Sequence, residues 1–162
     1  MKLNREQLLL LNRINNRLLF KLFSIIKLPL AFLTGLKIVK LNGDECITSV
    51  RLKYLNKNPF RSTYFAVLSM AAELSTGAIA LLAAEGRHTS VAKIITSMKA
   101  DFVKKAIGRT KFSCKDGKKL FIAVDKAISA KEPQIETVSS VGCDESGDVV
   151  AHFEFTWSFK QR

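Results

Sequence analysis

Histidine and cysteine are scarce in this sequence, and their spacing closes several routes to chemistry. Only His88 and His152 are present, and Cys46, Cys114 and Cys143 form no C-x-x-C pair. Zinc prefers closely spaced thiolate and imidazole ligands, so no metal site is expected. An odd set of distant cysteines makes no disulfide framework either and fits a reducing compartment, which gives the cytoplasm as the expected location. The chain has no G-x-S-x-G elbow, and its serines and cysteines have no evident histidine partner, so a Ser-His or Cys-His nucleophile has no support. A glycine-rich phosphate cradle is also missing, and no cofactor is expected.

Acidic residues are few: 14 Asp+Glu stand against 26 Lys+Arg, a formal net charge of +12. Such an excess favours an anionic partner, whether nucleic acid, a lipid surface or a phosphate-bearing ligand. The cations are scattered, with no run of five or six to mark a nucleic-acid tail, and acids are interleaved with them after residue 43. Nucleic acid is therefore not an expected partner. Clean apolar runs are missing too. Arg5, Arg13, Arg17, Lys21 and Lys27 interrupt the leucine-rich segment up to Phe32, which is too charged to span a bilayer. The second candidate, Tyr64 to Ala84, carries Glu73 near its centre, where a carboxylate is costly in lipid. It reads as a helix buried in protein.

What is present fills one domain over residues 1–162, long enough to bury a core without staples. Asn4 and Gln7 have capping-box spacing, and an apolar helical pattern then runs to Pro29, giving an N-terminal helix over residues 1–30. It carries basic residues beside a broad leucine face, and packing on its own subunit or dimer is favoured over peripheral membrane contact. Leu36–Leu41 and Cys46–Tyr54 flank Asn42-Gly43, a hairpin signal that relies on positive φ. Residues 63–85 are apolar nearly all round, which predicts an enclosed helix capped by Ser62 or Thr63 and closed by Gly86. Strands are predicted over Val91–Lys104 and Arg109–Lys115, joined near Gly108, with a shorter helix over Lys118–Ala130. Ile135–Val141 and the period-two run from Val149 to Lys160 form a last hairpin, with Phe153, Phe155, Trp157 and Phe159 on one apolar face. An antiparallel sheet must then cover a helix that is apolar on most sides, an α+β architecture with a sheet curled around a central helix.

Two stretches carry a family likeness. The segment from Asn58-Pro-Phe-Arg-Ser-Thr-Tyr64 through Glu73-Leu-Ser-Thr-Gly77 resembles the central helix of hotdog-fold thioesterases. The ending from Gly147 to Lys160 resembles the last strand of a branch of small bacterial thioesterase-like proteins related to the phenylacetate-pathway type. The resemblance implies a hotdog fold with an extra N-terminal helix, a homodimer or tetramer, and hydrolysis of an acyl-CoA or acyl-carrier-protein thioester. In the family an Asn precedes a His-Gly-Gly at the helix start, and an acid follows nine residues after the His. Here Glu73 lies nine residues after Tyr64, and Asn58 lies six before it. By resemblance Glu73 is the general base or nucleophile, Asn58 orients the carbonyl, and the Ala66 N–H serves the oxyanion, although Phe65-Ala66 replace Gly-Gly.

The residues make their own case for Glu73. An acid inside an apolar helix needs a reason, and its helical neighbours Ser69, Thr76 and Gly77 are small or polar. Such a stripe leaves room for a ligand, and burial lifts a carboxyl toward the pH at which a base works. The alternative is an ion pair between Glu73 and an Arg or Lys at a dimer interface. Tyr64, Phe65, Ser69, Thr76 and Gly77 are the expected substrate contacts, with Arg61, Lys104 and Arg109 as candidate partners for substrate phosphates. A non-catalytic acyl-CoA or lipid-binding hotdog module is the competing function.

Overall fold

In a computed structural model that describes residues 2–162, three short helices precede the sheet. Helix α1 (Arg5–Asn15) opens on the expected capping box: the Gln7 N–H donates to Asn4 Oδ1 at 2.8 Å and the Asn4 N–H to Gln7 Oε1 at 3.0 Å. The single N-terminal helix expected over residues 1–30 is broken at Asn16, whose side chain accepts from the N–H groups of Leu18 and Leu19 and caps α2 (Arg17–Lys27). Pro29 opens a third helix, α3 (Pro29–Thr34), where its missing N–H is no loss.

Strands β1 (Lys37–Leu41) and β2 (Cys46–Arg51) form the predicted hairpin by a different turn. Neither Asn42 nor Gly43 has positive φ. A four-residue loop is closed by the Asn42 N–H to the Glu45 carbonyl, and Asn42 Oδ1 accepts from the N–H groups of Asp44 and Glu45. Asparagine here works through its side chain, as an Asx turn.

Helix α4 (Phe65–Ala84) is the long central helix, and Gly86 ends it with φ +62°, a conformation that glycine adopts freely. Its start differs from expectation. Tyr64 is the N-cap and provides no side-chain bond, and the Ser62 hydroxyl is committed to Asn58. After it come β3 (Val91–Phe102), β4 (Arg109–Cys114), α5 (Gly117–Ala130), β5 (Gln134–Cys143) and β6 (Val149–Gln161).

The six strands form one antiparallel sheet in the order β1-β2-β4-β5-β6-β3. The consecutive strands β3 and β4 do not pair with each other: β3 pairs only with β6 at one margin, while β4 lies between β2 and β5. Alternation in β6 is as the sequence predicts, with Phe153, Phe155, Trp157 and Phe159 buried and His152 and Glu154 exposed. Each fully buried phenylalanine contributes about 1.5–3 kcal/mol. Helix α4 lies over β2, β4 and β5 and beside α5, tied to the sheet by Thr48 Oγ1 donating to the Ala71 carbonyl and by the Ser75–Ser140 hydroxyl pair at 2.8 Å. This is the hotdog fold.

Candidate active site

The central helix is apolar nearly all round, yet one strip of it stays accessible. Ala66, Ser69, Met70, Glu73, Leu74, Gly77, Leu81 and Ala84 follow one another at steps of one to four residues and are partly exposed, while the positions facing the sheet are buried. Glu73 sits in the middle of that strip. Its carboxylate lies against Gly77, one turn later: a Cβ built on Gly77 would stand 2.6 Å from Glu73 Oε1 and 3.5 Å from Cη2 of Trp157. Helical side chains usually lean toward the N-terminus. Here the absence of a side chain at Gly77 opens a seat on the C-terminal side.

Among the described residues Glu73 forms no salt bridge, and its carboxylate accepts no hydrogen bond. Desolvation pushes its carboxyl above the ordinary glutamate value with no cation to oppose it. Thr76, expected in the ligand stripe, is instead fully buried. Its hydroxyl donates to the Glu73 backbone carbonyl at 2.9 Å and accepts from Trp157 Nε1 at 3.1 Å. Trp157, read from the sequence only as core, thus anchors the turn that carries Glu73. The period-two pattern places it on the inner face but says nothing of which helical residue it meets.

Asn58 is folded into its own loop. Its Oδ1 accepts from the N–H groups of Phe60 and Ser62, and Nδ2 donates to Ser62 Oγ at 3.0 Å. An amide carries two N–H donors, so one remains for a ligand. Arg61 in the same loop takes φ +61°. Leu52, Lys53, Lys57, Asn58, Pro59 and Arg61 line an open cleft of about 420 Å³, and none of its three cations is in a salt bridge among the described residues. Lys53 and Lys57 lie outside the sequence-derived set; Lys57 adjoins Asn58 in the chain, and the turn Tyr54–Asn56 brings Lys53 back to the same cleft.

The start of α4 supplies donors. With no capping side chain, the N–H groups of Phe65 and Ala66 are without partners among the described residues, at the positive end of a helix dipole. Tyr64 and Phe65 are exposed and in contact with each other, and Phe65 meets Phe102 edge-on at 6.3 Å. The two other cations expected at phosphates are engaged elsewhere. Lys104 Nζ lies 2.7 Å from Asp144 and 2.6 Å from Asp148, and Arg109 Nε lies 3.7 Å from Glu145. That contact with Lys104 holds the Asp144 carboxyl below its usual value.

A family model described as "Domain of unknown function (DUF4442)" matches residues 16–159. The chain belongs to this family. A comparison with curated proteins gave no match. Solved structures share the fold at low identity. A Pseudomonas aeruginosa protein described as a probable thioesterase is 20% identical, with TM-score 0.73 over 88% of this chain and 93% of that one. A Haemophilus influenzae thioesterase is 11% identical, with TM-score 0.63 over 86% and 88%. The Escherichia coli PaaI protein of the phenylacetic acid degradation operon is 9% identical, with TM-score 0.59 over 92% and 96%. This member of DUF4442 therefore has structural neighbours that are hotdog-fold, thioesterase-like proteins, PaaI among them.

Proposed function

We propose that this DUF4442 protein is a thioester hydrolase that uses Glu73 as its base and acts on an acyl group carried by coenzyme A or an acyl-carrier protein. The observation that carries this reading is the uncompensated Glu73 carboxylate on the accessible strip of an otherwise enclosed helix. A structural glutamate in such a place takes an ion-pair partner. This one is held at a raised pKa on a partly exposed strip of the helix, as a base for water requires.

Glu73 takes a proton from water as the water oxygen adds to the thioester carbon. The developing oxyanion is received by the N–H of Ala66 at the start of α4, with Asn58 orienting the carbonyl. Collapse of the adduct breaks the C–S bond, and the proton held by Glu73 passes to the departing thiolate. Removal of a single oxyanion donor in such a site lowers turnover by about 10²–10³.

The lengths involved call for two chains. Ala66 and Glu73 are seven residues apart, about 10 Å along the helix axis at 1.5 Å per residue, and the Glu73 carboxylate leans further away toward Gly77. Base and oxyanion donor must each lie within about 3 Å of the reacting group. A second α4 running antiparallel brings the Ala66 of one subunit to the Glu73 of the other. Strand β3 offers the joint: it is twelve residues long, lies at a margin of the sheet, and exposes Ile94, Met98 and Phe102. The phosphates of the carrier are assigned to Lys53, Lys57 and Arg61 in the cleft beside Asn58.

A panel of acyl-CoA substrates run on wild type and Glu73→Ala tests the reading. Hydrolysis that depends on Glu73 supports it. Acyl-CoA binding without hydrolysis in either protein replaces it with the non-catalytic binding module.

A further inference from the structure

Helix α2 turns its apolar face away from the protein. At 100° per residue, Ile25, Leu18, Leu22, Ile26, Leu19 and Phe23 follow one another around an arc of about 160°. All six are exposed, Ile26 at 75% and Leu18 at 66%, whereas only Phe20 and Ser24 on the opposite side are buried. Lys21 borders the arc on one side and Lys27 on the other. Leu30 and Leu33 of α3, which packs against α2, are exposed as well. A soluble monomer rarely leaves so large a contiguous patch bare.

Charge decides what covers it. Between Glu6 and Asp44 the chain has no acidic residue, while it carries Arg13, Arg17, Lys21, Lys27, Lys37 and Lys40. Among the described residues, only Lys40 of these six is in a salt bridge. A second copy of the same face brings like charges together, and it does not use the β3 margin, since α1 packs on β1 at the opposite margin of the sheet order. An anionic bilayer matches both features: the arc enters the boundary between headgroups and acyl chains, and the flanking lysines reach back to the phosphates. We propose that α2 and α3 dock the protein in the plane of an anionic lipid surface.

The test is flotation of the full-length protein with two vesicle types, phosphatidylcholine alone and phosphatidylcholine mixed with phosphatidylglycerol. Wild type is expected to float with the mixed vesicles, to be released by salt, and to stay unbound with phosphatidylcholine alone. The double variant Leu22→Ser/Ile26→Ser, checked for native circular dichroism, is expected to bind at least tenfold more weakly. Each lysine near an anionic surface contributes roughly a fivefold effect, so Lys21→Glu/Lys27→Glu is likewise expected to lose at least tenfold. Equal binding of either folded variant and wild type overturns the proposal, as does a wild type that floats with neither vesicle. An assembly larger than a dimer that Leu22→Ser/Ile26→Ser splits would assign the face to a second copy. Flotation reads no hydrolysis, so its outcome is independent of the role of Glu73.

Discussion

Gly77 gives the Glu73 carboxylate its seat: Oε1 lies where a Cβ on residue 77 would be only 2.6 Å away. The atom that would have to yield is the far end of a flexible side chain. Gly77→Ala is therefore expected to fold, and alanine improves helix propensity by up to about 1 kcal/mol. The carboxylate, however, has to leave its position, and a misplacement of about 1 Å can lower turnover 10²-fold. Thermal melting and steady-state kinetics on the same sample check this: an unchanged or higher Tm with at least a tenfold fall in kcat is expected.

Glu73→Gln preserves volume and removes the proposed base. Turnover is expected to fall at least 10²-fold, the lower end of a general base contribution. The Kd for acyl-CoA is expected to change little, because the proposed phosphate contacts are Lys53, Lys57 and Arg61. Kinetics paired with calorimetric binding separates the two effects.

The raised Glu73 pKa fixes the sign of two pH profiles. Burial lifts the folded-state value above the ordinary 4.5. At low pH the group is protonated in both folded and unfolded states. As pH rises past 4.5 the unfolded state ionises first, so wild type loses stability until the pH passes the raised folded value. Glu73→Gln does not share this loss. The Tm of the variant minus that of wild type is expected to grow over that interval and then level off. Turnover is expected to rise with pH through the raised value, since the ionised form is the one proposed to act as base.

The loop-holding role of Asn58 is separable from its proposed role toward the substrate. Its Oδ1 holds the loop through the N–H groups of Phe60 and Ser62, while Nδ2, which also donates to Ser62 Oγ, carries the second N–H proposed to orient the carbonyl. Asn58→Asp keeps the acceptor and removes the donor, so it is expected to retain Tm and lose turnover. Asn58→Ala loses both and is expected to lower stability as well, by about 1 kcal/mol per lost bond.

A charge on the β3 margin tests the two-chain site. Met98→Lys places a cation among Ile94, Met98 and Phe102. Sedimentation is expected to show a dimer for wild type and a shift toward monomer for the variant, with hydrolysis falling in step. An active wild-type monomer at micromolar concentration would sink the two-chain arrangement.

Local periodicity decided much of this protein. Six apolar positions alternating along β6 can face a core only as a strand, and a 20-residue helix that is apolar on nearly every side can exist only if other structure wraps it. These two facts made the fold legible, and they made Glu73 conspicuous as the acid that does not fit. Tertiary structure decided what depends on partners distant in sequence. The Trp157 bond to Thr76 spans 81 residues and removes Thr76 from the accessible strip. Lys104 meets Asp144 and Asp148 only because β3 and the β5–β6 turn come together, and this changes a candidate phosphate ligand into an ion pair. The outward turn of α2 was hidden for a similar reason. A helical pattern reports that an apolar face exists, but only packing decides whether that face meets protein or is left open.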